Sequence, residues 1–217
     1  MTMRRRIICC ILSALFIASC QLVDSVSSQR TVRVKALADP SFRARNPRWD
    51  VEVRGIIEAA SDYYEREFDI RLVTQSTTAW PADERIPSTA NLLVKLRQEF
   101  PAARNDGSYD LLVAFTAEGV SRYLPSGRPR VDRIGNCQQG LSNYVVTTAH
   151  EVFRYQGVSG EPTHDLLALI HELGHVFGAE HVTNPSSIMH EDFGYRTEFD
   201  MKNRSVIQKN RICAFAK

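Results

Sequence analysis

His171, Glu172, His175, Gly178 and His181 fall within one short string, HELGHVFGAEH. Two histidines four residues apart on a helix stand one above the other on the same face, so both imidazoles can reach a single ion. Glu172 projects from the flank of that face, near the ion but out of line with its ligands. A carboxylate placed there suits a general base acting on water at the metal. Gly178 can end the helix in a left-handed conformation, and the chain turning back there can bring in His181 as a third ligand. Three neutral imidazoles around a tetrahedral ion leave the fourth position to water, the mark of a catalytic rather than a structural zinc site. A histidine pair alone would be a weak signal. The full string fixes five positions, including the glycine that the turn requires.

The helix carrying these ligands is expected to start near Thr163, which can cap it, and to run to about Phe177. Leu166, Ile170, Leu173 and Phe177, spaced four, three and four, make its core-facing stripe. His171 and His175 then lie on the opposite side. Upstream, Thr31 to Ala38 alternates as a strand, and Asp39-Pro40 and Asn46-Pro47 break the pattern. Val53, Ile56, Ile57, Ala60 and Tyr64 give helical spacing between Asp50 and about Phe68. Ile70 to Gln75 reads as a strand, and Ser88 caps a helix running to Phe100, stopped by Pro101. Asp110 to Phe115 and Ser142 to Thr148 read as strands, with Val131 to Gly135 as a short edge strand between them. This order predicts an α/β (α+β) fold, a mixed twisted sheet with helices packed against it.

The complete string, followed by Met189 in Ser187-Ile188-Met189, resembles the metzincins, zinc endopeptidases with HExxHxxGxxH and a methionine turn. The resemblance implies the zincin/metzincin fold, one catalytic Zn2+ on His171, His175 and His181, Glu172 as base, and Met189 as an apolar floor beneath the metal. It also implies a catalytic domain over 31–217, divided into an N-terminal subdomain (31–181) and a small C-terminal subdomain (182–217). Glu198 to about Asn210 would close the latter, with Phe199, Met201, Val206 and Ile207 as its contacts. A protein or peptide substrate would lie in the cleft between them, paired with the edge strand. The short link from His181 to Met189, with Pro185 inside it, looks most like the matrixins. Val182 after the third histidine, and His190 and Glu191 after the methionine, depart from the matrixin pattern. The tyrosine that several metzincins carry two residues after the methionine is absent, and Tyr195, the nearest, receives no catalytic role. His190 is near the site through the methionine turn. His150 and His164 lie outside the ligand spacing and read as surface or capping residues.

The N-terminus reads as an address. Arg4, Arg5 and Arg6 precede an apolar run, Ile7 to Ala18, that is too short to span a bilayer. Ile17-Ala18-Ser19-Cys20 resembles the lipobox of bacterial lipoproteins. That implies a signal over 1–19, lipid on Cys20, a tether over 20–30 and an outer-membrane anchor; plain secretion is the alternative. Export permits a disulfide between the remaining Cys137 and Cys213, or two unpaired thiols. Removing residues 1–19 takes away three arginines and no acidic residue, so 27 basic against 25 acidic side chains becomes 24 against 25. A chain so balanced, with no basic stripe, has no nucleic-acid footprint. Beside a zinc endopeptidase stands a second reading, a catalytically silent zinc-binding surface lipoprotein that holds a protein partner.

Overall fold

The structure is a computed structural model and describes residues 29–82, 88–117, 128–192 and 194–217. Residues 1–19, where a signal is expected, and Cys20 lie outside the described residues. Among the described residues no helix is long and apolar enough to cross a membrane.

Five strands form one sheet in the order β2-β1-β3-β5-β4. These are β1 (Arg30–Ala38), β2 (Ile70–Ala79), β3 (Leu111–Thr116), β4 (Arg130–Val131) and β5 (Tyr144–Thr148). β1, β2, β3 and β5 run parallel, and β4 is antiparallel to β5 at one edge. Alternation along the strands sends side chains to two faces. Val32, Val34, Ala36, Leu111, Val113, Phe115 and Val145 enter the larger core. Leu37, Leu112, Ala114, Tyr144 and Val146 meet Leu92, Leu93 and Leu96 of α3 (Thr89–Glu99) on the other face. The larger core takes the apolar faces of α2 (Trp49–Phe68) and α4 (His164–Val176). Ile188, Met189, Phe199 and Ile207 join that same core. The fold is α/β, a mixed sheet covered by helices, as the order of elements in the sequence predicts.

Several elements differ from the sequence reading. Asp39-Pro40 opens a short helix, α1 (Pro40–Arg45), where a break was expected. The Asp39 carboxylate accepts from the Phe42 N–H at 2.8 Å, and proline fits the first turn because its missing N–H is not needed there. β2 runs four residues past Gln75, its outer half paired with β1 to Ala79. The edge strand is shorter than Val131 to Gly135 and begins one residue earlier. Beyond the strand the chain turns inward, and the Gly135 N–H donates to the His175 carbonyl at 2.9 Å. A Cβ at that position would lie 2.0 Å from the Val176 oxygen. The closing helix, α5 (Met201–Asn210), starts after Glu198, capped by Asp200. Met201 is 79% exposed and makes no core contact, whereas Asn203, Ile207 and Asn210 face inward.

Candidate metal centre

α4 begins at the Thr163 cap, whose hydroxyl accepts from the Leu166 N–H at 3.2 Å. All twelve residues from Asp165 to Val176 are buried, so the ligand face is enclosed as well as the apolar stripe. Leu166, Ile170, Leu173 and Phe177 form the core side as expected. Gly178 follows with φ +97°, a conformation that favours glycine. A Cβ there would lie 2.5 Å from Asn210 Nδ2 and 2.6 Å from the Gly135 oxygen, so the turn has neither backbone freedom nor space for a side chain. Asn210 Nδ2 donates to the Phe177 carbonyl at 3.0 Å, closing the end of α4 with a side chain from α5.

That turn delivers His181. The Nε2 atoms of His171, His175 and His181 form a triangle with sides of 3.1, 3.1 and 3.2 Å. Three nitrogens held about 2.0–2.1 Å from one tetrahedral zinc would lie about 3.3–3.4 Å apart. Two outer contacts orient the rings. His171 Nδ1 donates to the Ile188 carbonyl at 2.6 Å and His175 Nδ1 donates to the Ala179 carbonyl at 2.7 Å. With Nδ1 protonated, each Nε2 carries a lone pair, and lone pairs crowded this closely fit a cation between them. Burial, aided by the neighbouring histidines, pushes His171 down to about 3 and His175 down to about 4. His181 is also lowered by burial, with Glu191 pulling its pKa up and Arg128 and His190 pulling it down. The donor set is therefore neutral and ready for a divalent ion, and it fits zinc.

The methionine turn does more than lie beneath the ligands. Its Ile188 carbonyl is the outer partner of His171, and the Ile188 N–H is held by the Glu198 carbonyl at 2.7 Å. Ser187 Oγ donates to Asp200 at 2.8 Å and accepts from the Met189 N–H at 3.1 Å. Met189 is fully buried, with its sulfur against α4 at Gly174. Asn203 clamps the residue before His181, accepting from the Glu180 N–H at 3.0 Å and donating to the Glu180 carbonyl at 2.9 Å. The structure joins Cys137 and Cys213 in a disulfide.

Glu172 is buried and lines the same cleft as the three histidines, a space of about 600 Å³. Burial pushes its carboxyl up to about 8, with Arg130 acting the other way. β4 lines the cleft as a wall through Arg130 and Val131, and Glu191 and Asp192 after the methionine turn line it as well. His150 is exposed and His164 half-buried, in keeping with the surface reading, and both line this cleft. His150 Nδ1 lies 3.2 Å from Asp165, whose carboxylate also accepts from the His150 and Glu151 N–H groups at 2.8 and 3.2 Å. Burial opposes the Asp165 charge, but these hydrogen bonds together hold it below the ordinary carboxylate value. Only the fold brings the end of β5 to the start of α4, and the one local signal was an acidic residue in that helix's first turn. His190 stays outside the ligand triangle, with its Nδ1 accepting from the Asp192 N–H at 3.1 Å. Tyr195 is 76% exposed and stacks edge-on against His164 with ring centroids 5.9 Å apart.

The chain is similar to known proteins. The crystal structure of archaemetzincin from Methanopyrus kandleri superimposes with a TM-score of 0.56 at 18% identity, covering 85% of this chain and 98% of that one. At that identity the likeness concerns the fold. The model of metallo-peptidase family M12 matches residues 28–214, nearly the whole described chain. The chain belongs to metallo-peptidase family M12 and is a zinc metallopeptidase.

Proposed function

We propose that this metallopeptidase is an endopeptidase that cuts extended protein or peptide chains, with Glu172 as its general base. The observation that carries this reading is the placement of Glu172. It follows the first ligand on α4, is buried, and opens onto the cleft shared by all three imidazoles. When bound, zinc supplies Lewis acidity, acidifying water and polarising the scissile carbonyl. Glu172 takes the proton of the attacking water and returns it to the departing amine. A carboxyl raised towards neutrality by burial suits both transfers. His171 and His175, fixed through Nδ1 by the Ile188 and Ala179 carbonyls, keep their Nε2 atoms directed at one point. The outer edge of β4 offers backbone groups to an extended substrate.

The test is cleavage of an unfolded protein by the zinc-loaded chain, with and without chelator. Glu172→Ala is expected to keep zinc and lose cleavage by about 10²–10⁴-fold, whereas His175→Ala loses both. Unimpaired cleavage by Glu172→Ala overturns the base assignment. A wild-type protein that holds zinc and cuts nothing favours the silent, partner-holding reading, against which the intact base and ligand set speak.

The matrixin resemblance rests on the short connection from His181 to Met189, and we carry it no further than that connection. We also infer export and anchoring at the cell envelope through lipid on Cys20, from the lipobox-like Ile17-Ala18-Ser19-Cys20. Incorporation of a labelled fatty acid that disappears in Cys20→Ser tests the anchor. Label retained by that variant overturns it.

A further inference from the structure

Arg128 leads into β4 and Glu191 follows the methionine turn, and both line the cleft. Their ion pair, 2.7 Å between Nη1 and a carboxylate oxygen, joins these two segments. It lies on the side of the third ligand, because Val182, next to His181, forms a β-bridge with His190, next to Glu191. The two partners are not held alike. The Arg128 carbonyl accepts from the Thr89 hydroxyl at 2.6 Å, and the oxygen of that hydroxyl accepts from Arg130 Nε at 3.0 Å. Thr89 is 3% exposed at the start of α3, so the arginine wall is tied to the body of the protein. Glu191 sits in a turn, its side chain 68% exposed against 39% for Arg128. The carboxylate is therefore the exchangeable partner. A solvent-exposed pair is weak, and a guanidinium fork accepts any carboxylate of suitable approach.

We propose that Arg128 is a specificity-determining residue that receives an acidic side chain of the substrate on the His181 side of the scissile bond, and that Glu191 holds that place in the free enzyme. The proposal rests on the endopeptidase reading given above. The opposite assignment, in which Glu191 reads a basic side chain, is an outcome of the test.

The experiment uses the zinc-loaded full chain and peptides identical except for Glu, Gln or Lys, walked through the positions flanking one cut site. At one position Glu is expected to exceed Gln by about three- to fivefold in kcat/KM, chiefly through KM. Arg128→Ala brings that ratio near one, whereas a merely structural role would slow both peptides alike and leave the ratio standing. Glu191→Gln keeps the preference and lowers KM for the Glu peptide. Direct binding of the same peptides to Glu172→Gln, read by fluorescence anisotropy, gives the ranking without turnover. If no peptide is cut, the endopeptidase reading fails while the binding series still decides the role of Arg128. Equal handling of Glu and Gln at every position, or a Lys preference that Glu191→Gln abolishes, overturns the proposal.

Discussion

Gly174 lies between the two helical ligands and has no room for a side chain. A Cβ there would lie 2.8 Å from Met189 Sδ and 2.9 Å from a Phe199 ring carbon. Gly174→Ala is therefore expected to destabilise the fold by about 1–3 kcal/mol through overpacking, read as a lower urea midpoint. It is also expected to weaken zinc affinity, because the methionine turn it displaces carries the Ile188 carbonyl that orients His171. Unchanged stability and zinc affinity would show that the turn yields without cost. At this scale the ligand string was legible in the sequence, since helical periodicity alone stacks His171 on His175. The outer partners were not. Ile188 and Ala179 act through backbone carbonyls, and a carbonyl carries no residue-type signal. Nor was the contact of His150 with Asp165, because that carboxylate lies fifteen residues away.

Helix α4 is fixed at its start by two devices, the Thr163 cap and the Asp165 carboxylate bonded to the end of β5. Thr163→Ala is expected to cost about 1 kcal/mol, measured by thermal unfolding. Asp165 gives a pH signature. Its folded value lies below the ordinary 3.8, so its contribution is complete above that value and is lost as pH falls through the folded one. The difference in Tm between wild type and Asp165→Asn is thus expected to be steady from about pH 7 to 5 and to shrink towards pH 3. A difference that grows on acidification would refute the assignment. Strands and long helices were readable from apolar spacing to within a few residues. α1 was missed because Asp39-Pro40 was weighed as a break, although aspartate at the cap and proline in the first turn also open helices. α5 was placed to within three residues at its start, but not its inward face, which is carried largely by Asn203 and Asn210 binding backbone carbonyls of the α4 exit. A hydrophobic pattern cannot register a face made of amides.

Across the whole molecule, the C-terminal tail is tied down by a covalent bond and by backbone pairing. Cys213 closes on Cys137 across 76 residues, while Leu141 exchanges hydrogen bonds with Ala214 and Ala216 at 2.8 and 3.1 Å. Cys213→Ser is expected to lower stability by about 2–4 kcal/mol, checked by denaturant unfolding with and without reductant. Reductant is expected to shift the wild type and leave the variant where it is. Zinc gives a second global handle. Two ligands sit on α4 and the third on the turn clamped by α5, so an ion that binds only this assembled set raises Tm with free zinc concentration. A chelator is expected to remove that increment, and a Tm indifferent to both treatments would show that the triad does not hold the metal.

The sheet ends, on the cleft side, in a strand only two residues long. An open edge that welcomes a passing polypeptide is equally open to another copy of the same protein, and long flat edges polymerise. Here Arg128, Arg130 and Arg133 crowd the short strand, and by Gly135, four residues on, the chain is bonded to α4 instead of the sheet. Self-association along this border would stack like charges and find few backbone partners. A transient visitor is tolerated where a growing stack of identical molecules is repelled.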